Sequence, residues 1–481
     1  MNKYKKLISN TLILGIGTFG SKLMVYFLMP LYTGFLSPSE YAVADIIAQT
    51  ANLIIPLACI GISNGVFRFA ADREKNKEEA FSAGMLINLG GSTVFLILSP
   101  ILFFIDYFKG YAWLIVLYVI FANFHSVCAN YIRAVDKTKL FALQGIVNTL
   151  LTITLNVIFL VVFRIGIYGY VLSVIIADIL TTLFVVISQR LWKVFSIKTV
   201  KKQTLIAMLK YSIPLIPATM FWWITDVSDR YFVSYFCSDE IMGLYSVAYK
   251  IPTVLILISG VFIEAWQFSA VNESGEAGKP VLTNNSLERF FDNVFDCFTS
   301  LIFLACSLII ATSKIFASFM FAEAYYTSWQ YMPVLVVAMM FSTFVTFMGT
   351  AYIVKMKTVV SFLTAFLGAL MNIVLNFIFI PPFAFGWGAM GAAVATAISY
   401  FTVFVIRSAT VKNYIKFKIH YLRVALNVSI IVAQSVIMIL QPWWWITAEL
   451  ISIALIVVVN FKVLFTGIKQ LSGMVIRKYK N

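Results

Sequence analysis

The sequence predicts an all-α integral membrane protein of about 14 transmembrane helices, with two parallel six-helix lobes around a central cavity and two further helices at the C-terminal end. Three observations lead there. Hydrophobic residues make up 61% of the 481 residues and charged residues only 12%, with a mean hydropathy of +0.91, whereas a soluble protein holds roughly 45–50% and about 25%. The apolar residues fall in long runs, each near the roughly 20 residues that one bilayer crossing needs. The chain also repeats itself at a shift of 220 residues.

The runs lie at 7–36, 41–69, 80–105, 111–133, 140–163, 167–190, 206–236, 241–268, 288–320, 328–354, 358–380, 387–410, 421–441 and 443–466. The first follows Lys3, Lys5 and Lys6. It is too long for a signal-peptide core and has no small-residue cleavage site, so it is expected to be a retained helix. An even number of crossings puts both termini on one side. Assigning that side to the cytoplasm places about 30 of the 36 lysines and arginines there, against about three outside, namely Lys109, Arg164 and Lys314. Lys22, Arg230 and Lys250 remain inside helices.

The loops leave little room for chemistry. Leu36-Ser-Pro-Ser-Glu40, Cys237-Ser-Asp-Glu240 and Gln441-Pro-Trp-Trp-Trp445 are short outer turns, and the longest polar segments, 191–205 and 269–287, are too small for a catalytic domain. Only His125 and His420 are histidines, and Cys59, Cys128, Cys237, Cys297 and Cys306 show no metal spacing. No catalytic residue, metal or cofactor is expected. The net charge of +15 comes from short basic clusters between apolar runs, such as Lys412, Lys416 and Lys418. Topology and contacts with membrane lipids account for that pattern, and nucleic-acid binding is excluded.

The repeat aligns Lys137-Thr138 with Lys357-Thr358, Leu155-Asn156-Val157-Ile158-Phe159 with Leu375-Asn376-Phe377-Ile378-Phe379, and the Gly166 turn with Gly386. Like helices shifted equally imply two halves of the same orientation, and in such proteins the site lies between halves near the bilayer midplane. The expected division is 1–200 and 201–415 for the two lobes and 416–481 for the extra helices with a basic tail.

Polar stripes at helical spacing mark the helices expected to line the cavity. They are Thr11, Gly15, Thr18, Lys22 and Tyr26; Asp45, Gln49, Asn52 and Pro56; Trp222, Asp226, Asp229 and Arg230; and Gly243, Ser246, Lys250 and Thr253. An ionised side chain at mid-bilayer depth costs roughly 2.5–3.5 kcal/mol and is a functional candidate by default. Lys22 and Lys250 are expected near mid-depth; Asp45, Asp226 and Asp229 are candidate ion-coupling groups by position. Pro30, Pro56, Pro214, Pro217 and Pro252 each remove a backbone donor and supply candidate kinks. Other readings of the same residues stay open. Asp229 with Arg230, or Asp45 with a lysine, neutralise each other and lock helices; Trp222 and Trp223 pack; Asn156 and Asn376 bond between helices. Arg68 and Glu264 guard an inner mouth or anchor helix ends. Asp178, Asp292 and Asp296 fall outside the stripes and receive no role.

The chain resembles the polysaccharide (O-antigen type) flippases of the multidrug, oligosaccharidyl-lipid and polysaccharide exporter superfamily. The residues that carry the resemblance are Tyr211-Ser-Ile-Pro-Leu-Ile-Pro217, Ser228-Asp-Arg-Tyr231, Gly243-Leu-Tyr-Ser-Val-Ala-Tyr-Lys250, and Leu36-Ser-Pro-Ser-Glu-Tyr41 with Gly61-Ile-Ser-Asn-Gly65. The resemblance implies a bacterial inner-membrane protein that moves a polyprenyl-diphosphate-linked oligosaccharide to the outer leaflet by alternating access, with polysaccharide polymerase and chain-length proteins as partners. In that setting Lys22, Lys250 and Arg230 meet the diphosphate, while Gln49 and Asn52 meet sugar hydroxyls. Two helices beyond twelve also resemble the lipid II flippase branch, and cation-coupled multidrug extrusion shares the fold.

Overall fold

The chain folds as a multi-pass, all-helical membrane protein. The computed structural model describes residues 26–72, 76–273, 284–355 and 357–480. Thirteen helical segments among them are long and apolar enough to cross a membrane, one for each expected run after the first. That first run lies mostly outside the described residues, and Lys22 with it.

Contacts divide the chain into two compact units, one up to Val227 and the other from Ser228. The first contains α1 Met29–Phe35, α2 Pro38–Ala58, α3 Ile62–Ala70, α4 Lys77–Leu98, α5 Ala112–Ala134, α6 Thr138–Asn156, α7 Gly166–Gln189 and α8 Lys202–Ser212. Helix α9, Ile216–Phe236, spans the division. The second contains α10 Asp239–Glu273, α11 Asn284–Met320, α12 Met332–Val354, α13 Thr358–Phe379, α14 Gly388–Thr410, α15 Tyr421–Leu440 and α16 Trp445–Lys480.

Local chemistry sets the helix ends. The outer turn before α2 is a capping box, with the Ser37 N–H donating to Glu40 at 2.8 Å and the Glu40 N–H to the Ser37 hydroxyl at 3.3 Å. Asn76 caps α4 through the N–H groups of Glu78 and Glu79. The 41–69 run is two helices. Pro56 weakens the end of α2, and Ile60 and Gly61, both at positive φ, turn the chain into α3. The 206–236 run is likewise divided by a tight 3₁₀ turn at Ile213–Leu215, which contains Pro214. The two breaks pack together: a Cβ on Gly61 would lie 3.3 Å from the Ser212 carbonyl oxygen, and one on Gly65 only 2.7 Å from the Ser212 hydroxyl. Pro252 differs, since α10, 35 residues long, runs unbroken through it.

The repeat recurs as geometry within each unit. Lys137 and Lys357 precede α6 and α13 with near-equal backbone angles, φ −85 and ψ 48 against φ −96 and ψ 57. Each donates its N–H to the carbonyl five residues back, Ile132 at 3.0 Å and Tyr352 at 2.7 Å. Gly166 and Gly386 both take positive φ to reverse the chain. Beyond the turn, Gly169 and Gly391 let α7 and α14 close on Phe159 and Phe379, where a Cβ would come within 3.0 Å and 2.8 Å. The hairpins differ in one respect. The first widens into a π-helical turn at Val157–Val162, while α13 stays α-helical to Phe379.

Each unit has its own core. In the first, Val66, Phe81, Val127, Cys128, Tyr131 and Met208 join α3, α4, α5 and α8. In the second, Trp266 stacks on Phe347 at 5.0 Å, and Phe295, Phe344 and Phe404 continue the cluster. Opposite these cores, Val94, Leu96, Ile97 and Leu98 of α4 and Val458 and Phe461 of α16 are exposed. Water would penalise such a surface and lipid would not.

Helix α4 meets α2 through one glycine. A Cβ on Gly91 would lie 2.0 Å from the Ala58 carbonyl oxygen, while one on Gly90 would meet nothing within 4 Å. Gly91→Ala is therefore expected to lower thermal stability by the equivalent of about 1–3 kcal/mol, and Gly90→Ala to leave it unchanged. Fluorescence-detected unfolding of the two variants in the same detergent measures the contrast.

Candidate functional site

The charged stretch of α9 and the first half of α10 contains side chains in quite different settings. Asp229 is fully buried. It accepts hydrogen bonds from the Tyr245 hydroxyl of α10 and from the Thr396 hydroxyl of α14, the latter at 3.2 Å. Thr396 in turn accepts from the Asn372 amide at 3.2 Å, and the Asn372 carbonyl oxygen accepts from Ser228 at 2.7 Å and Asn376 at 2.9 Å. Side chains from α9, α10, α13 and α14 thus form one connected polar network inside the second unit. Arg230, one residue on, is buried and lies 4.9 Å over the Tyr249 ring. Asn376 also reaches Ser228 on α9 at 3.5 Å.

Lys250 is half-buried on α10, about 16 Å along from Asp239 at the helix start. Its carbonyl accepts from the Thr253 hydroxyl at 2.7 Å, and Ser246, one turn earlier on the same face, is buried. Asp226 is half-buried on α9, four residues before Arg230 and on the same helix face.

In the first unit, Asp45 is buried on α2, and Gln49 donates to it at 3.5 Å. Asn52, one turn further, is exposed. Asn156 donates to the Thr152 carbonyl of its own helix at 2.8 Å. Among the prolines, Pro30 lies at the start of α1, just after a turn at 27–28 that interrupts the helix. Pro56 and Pro214 lie at the two breaks, Pro217 opens α9, and Pro252 is inside α10. Arg68 is exposed on α3. Lys22 and the side chain of Glu264 are outside the described residues.

A second charged group in this unit was not picked out by the stripes. Asp178 of α7 lies 3.2 Å from the Nδ1 of His125 on α5 and accepts from Asn148 of α6 at 2.8 Å. His125 Nε2 faces the Gln144 carbonyl oxygen at 2.8 Å. With both ring nitrogens facing oxygens, the doubly protonated ring makes both bonds. Tyr118 lies close to both Asp178 and Asp45. His125 and Asp178 are each roughly 18–20 Å into their helices, so the group sits near mid-depth. The signal in the sequence was a carboxylate inside a segment of mean hydropathy 2.5.

Arg407, near the end of the 387–410 run, is a further charge that the stripes did not pick out, and it is 1% exposed. It donates to the Val345 carbonyl at 2.7 Å and twice to the Thr364 hydroxyl, at 3.0 and 2.9 Å. Gly349 makes room for it, since a Cβ there would lie 2.9 Å from the guanidinium.

The hydroxyls on Asp229 give a way to separate structural from functional charge. Asp229→Leu strands two buried donors and is expected to cost about 1–3 kcal/mol for each. Asp229→Asn keeps an acceptor and is expected to stay close to wild-type stability. Thermal unfolding of both variants in detergent reads this difference.

Comparison with known proteins agrees with this architecture. The sequence profile of the family described as "Polysaccharide biosynthesis protein" matches residues 7–266. No curated protein matches the chain by sequence. Among solved structures, a MOP superfamily transporter from Pyrococcus furiosus, described as having a binding pocket of reverse polarity, is similar with a TM-score of 0.60 at 12% identity, over 84% of this chain and 95% of that one. The inward-facing conformation of a multidrug resistance MATE family transporter gives 0.60 at 15% identity, over 85% and 96%. An outward-facing conformation of such a transporter gives 0.56 at 12%, over 84% and 96%. At these identities the likeness establishes the fold, that of the MOP superfamily.

Proposed function

The chain belongs to the polysaccharide biosynthesis protein family, and on that premise we propose that it is a flippase for a lipid-linked oligosaccharide. The substrate is a polyprenyl diphosphate bearing sugars, carried from the inner to the outer leaflet of the bacterial cytoplasmic membrane by alternating access. Both termini are cytoplasmic, residues 1–200 and 201–415 act as two lobes, and 416–481 is an appendage.

The observation that supports this reading best is the half-buried Lys250 near mid-depth of an apolar helix, in a chain of this family. A charge in that position is costly unless it meets water, a partner within the protein or an anionic ligand. The hydrocarbon tail of the substrate stays in lipid, and only its diphosphate and sugars need a polar passage. Lys250 holds the diphosphate as a point charge, with Lys22 and Arg230 as its cationic companions. Gln49 and the exposed Asn52 meet sugar hydroxyls. Asp45 and Asp226 are the ion-coupling candidates, joined by the Asp178–His125 pair, whose imidazole can exchange a proton. Asp229, held by Tyr245 and Thr396, is better suited to joining helices. The breaks at Pro56 and Pro214 supply hinges at the start of α3 and α9.

Two related substrates compete with this one. Lipid II carries the same diphosphate, and complementation of a lipid II flippase deficiency would favour it. The multidrug transporters of the same fold point to drug cations, and resistance conferred without any sugar pathway would favour that reading.

Lys250→Ala, inserted and as abundant as the wild type, is expected to reduce export of the surface polysaccharide by at least about tenfold. Lys250→Arg is expected to retain part of it. Quantifying surface polysaccharide alongside membrane abundance tests the assignment, and undiminished export in Lys250→Ala would remove Lys250 from the site.

A further inference from the structure

Between α14 and α15 the chain abandons helix for a short extended strap, and its side chains separate by chemistry. Ile415, Phe417 and Ile419 are buried, while Lys416, Lys418 and His420 between them are exposed. This two-residue alternation is that of an extended strand lying on an apolar surface. The anchor is aromatic, with the Phe417 ring 5.8 Å from Phe291 and 5.6 Å from Phe295 of α11. The Lys418 N–H donates to Asp292, fixing the strap to α11 by its backbone as well.

The outward row lines an open cavity of about 520 Å³ whose polar walls are Lys412, Lys416, Lys418 and His420. Lys412 is placed by its ammonium, 4.7 Å over the Tyr421 ring. The acids nearby offset the field only in part, since two carboxylates stand against three lysines and Arg423. Asp296 is engaged by Arg423 and by His420 at 3.1 Å, and Asp292 by the strap backbone. Helix α15 begins at Tyr421 with no side-chain cap, so the positive end of its dipole adds to the lysines.

The same helix borders a second feature. Deeper in the unit, α12, α14 and α15 form an apolar groove of about 390 Å³, lined by residues including Phe341, Ile398, Phe401, Val432 and Ile439, with Ser435 its one polar member. On α15 the groove runs from Val428 to Ile439, about 10 to 27 Å from the strap end of the helix. That is the depth range of an acyl chain whose phosphate lies at the strap.

We propose that residues 412–420 form a binding site for the phosphate of an anionic membrane phospholipid, whose acyl chain occupies the groove between α12, α14 and α15. The occupant follows from charge complementarity on one side and apolar lining on the other. Lys416 and Lys418 on the strap and Lys412 on the turn before it match a phosphate at the interface, and a groove whose one polar lining residue, Ser435, has its hydroxyl bonded to backbone carbonyls matches hydrocarbon. The site lies apart from the charges of α9 and α10 and does not depend on the flippase reading.

The test is native mass spectrometry of the purified full chain, titrated with phosphatidylglycerol and, in parallel, with phosphatidylcholine and with inorganic phosphate. The wild type is expected to retain phosphatidylglycerol preferentially, and the combined Lys412→Gln, Lys416→Gln, Lys418→Gln variant to bind it at least about tenfold more weakly. A charge-matched control, Lys193→Gln, Lys198→Gln, Lys201→Gln, is expected to bind as the wild type does. Val432→Trp, which fills the groove without touching charge, is expected to weaken retention too. Equal retention by the strap variant would overturn the proposal, as would equal loss in the control, or displacement of the lipid by inorganic phosphate alone. A dimer lost on Val432→Trp would seat a second copy in the groove and overturn it as well.

Discussion

A polar group inside a bilayer has no water to fall back on, and the structure is organised by that constraint. Every backbone bond must be closed within a helix or a tight turn, and every buried side-chain donor or acceptor must find its partner inside the protein. The second unit meets much of the requirement by linking polar residues into networks. Asp229, Thr396, Asn372, Ser228 and Asn376 hydrogen-bond to one another across helices, and Arg407 spends its donors on Val345 and Thr364. The first unit does the same with Asp178, His125, Gln144 and Asn148. The last two helices follow suit, since Gln434 of α15 joins Ser307 of α11 to Glu449 of α16.

The constraint also explains where helices break. A helix that ends inside the membrane leaves carbonyls without partners, and the chain re-closes them in a turn that glycine or a left-handed residue permits. The Pro56 carbonyl is taken up by the Gly61 N–H at 2.9 Å. Near it, the second break at Ile213–Leu215 is packed so closely that Gly65 has no room for a side chain. Two breaks held against each other by small residues can bend together, and the mid-helix Pro252, with no such turn, is less suited to a hinge.

Much of this was legible in the sequence, for physical reasons that differ from feature to feature. The spans could be placed because hydropathy over 20 residues is a strong, additive signal. The hairpin repeat could be seen because Lys-Thr at a helix start and glycine at a positive φ are chemically constrained positions. What escaped were pairings between distant helices. His125 and Asp178 belong to different helices, and no periodicity within either one announces the other. Asn372, a single amide in an apolar helix, gave no sign of standing at the centre of a network. Arg407 was not singled out, because its burial depends on where α14 ends and on the gap left by Gly349.

On the flippase reading, a headgroup carrying phosphate and sugar crosses the bilayer through this protein. Purified protein reconstituted into liposomes with a fluorescently labelled polyprenyl-diphosphate oligosaccharide tests it directly, using a membrane-impermeant quencher to report the fraction in the outer leaflet. Protein-dependent movement of the label between leaflets, lost in Lys250→Ala, is the predicted result. A label that stays where it began, while a fluorescent drug cation crosses in the same liposomes, would contradict the account.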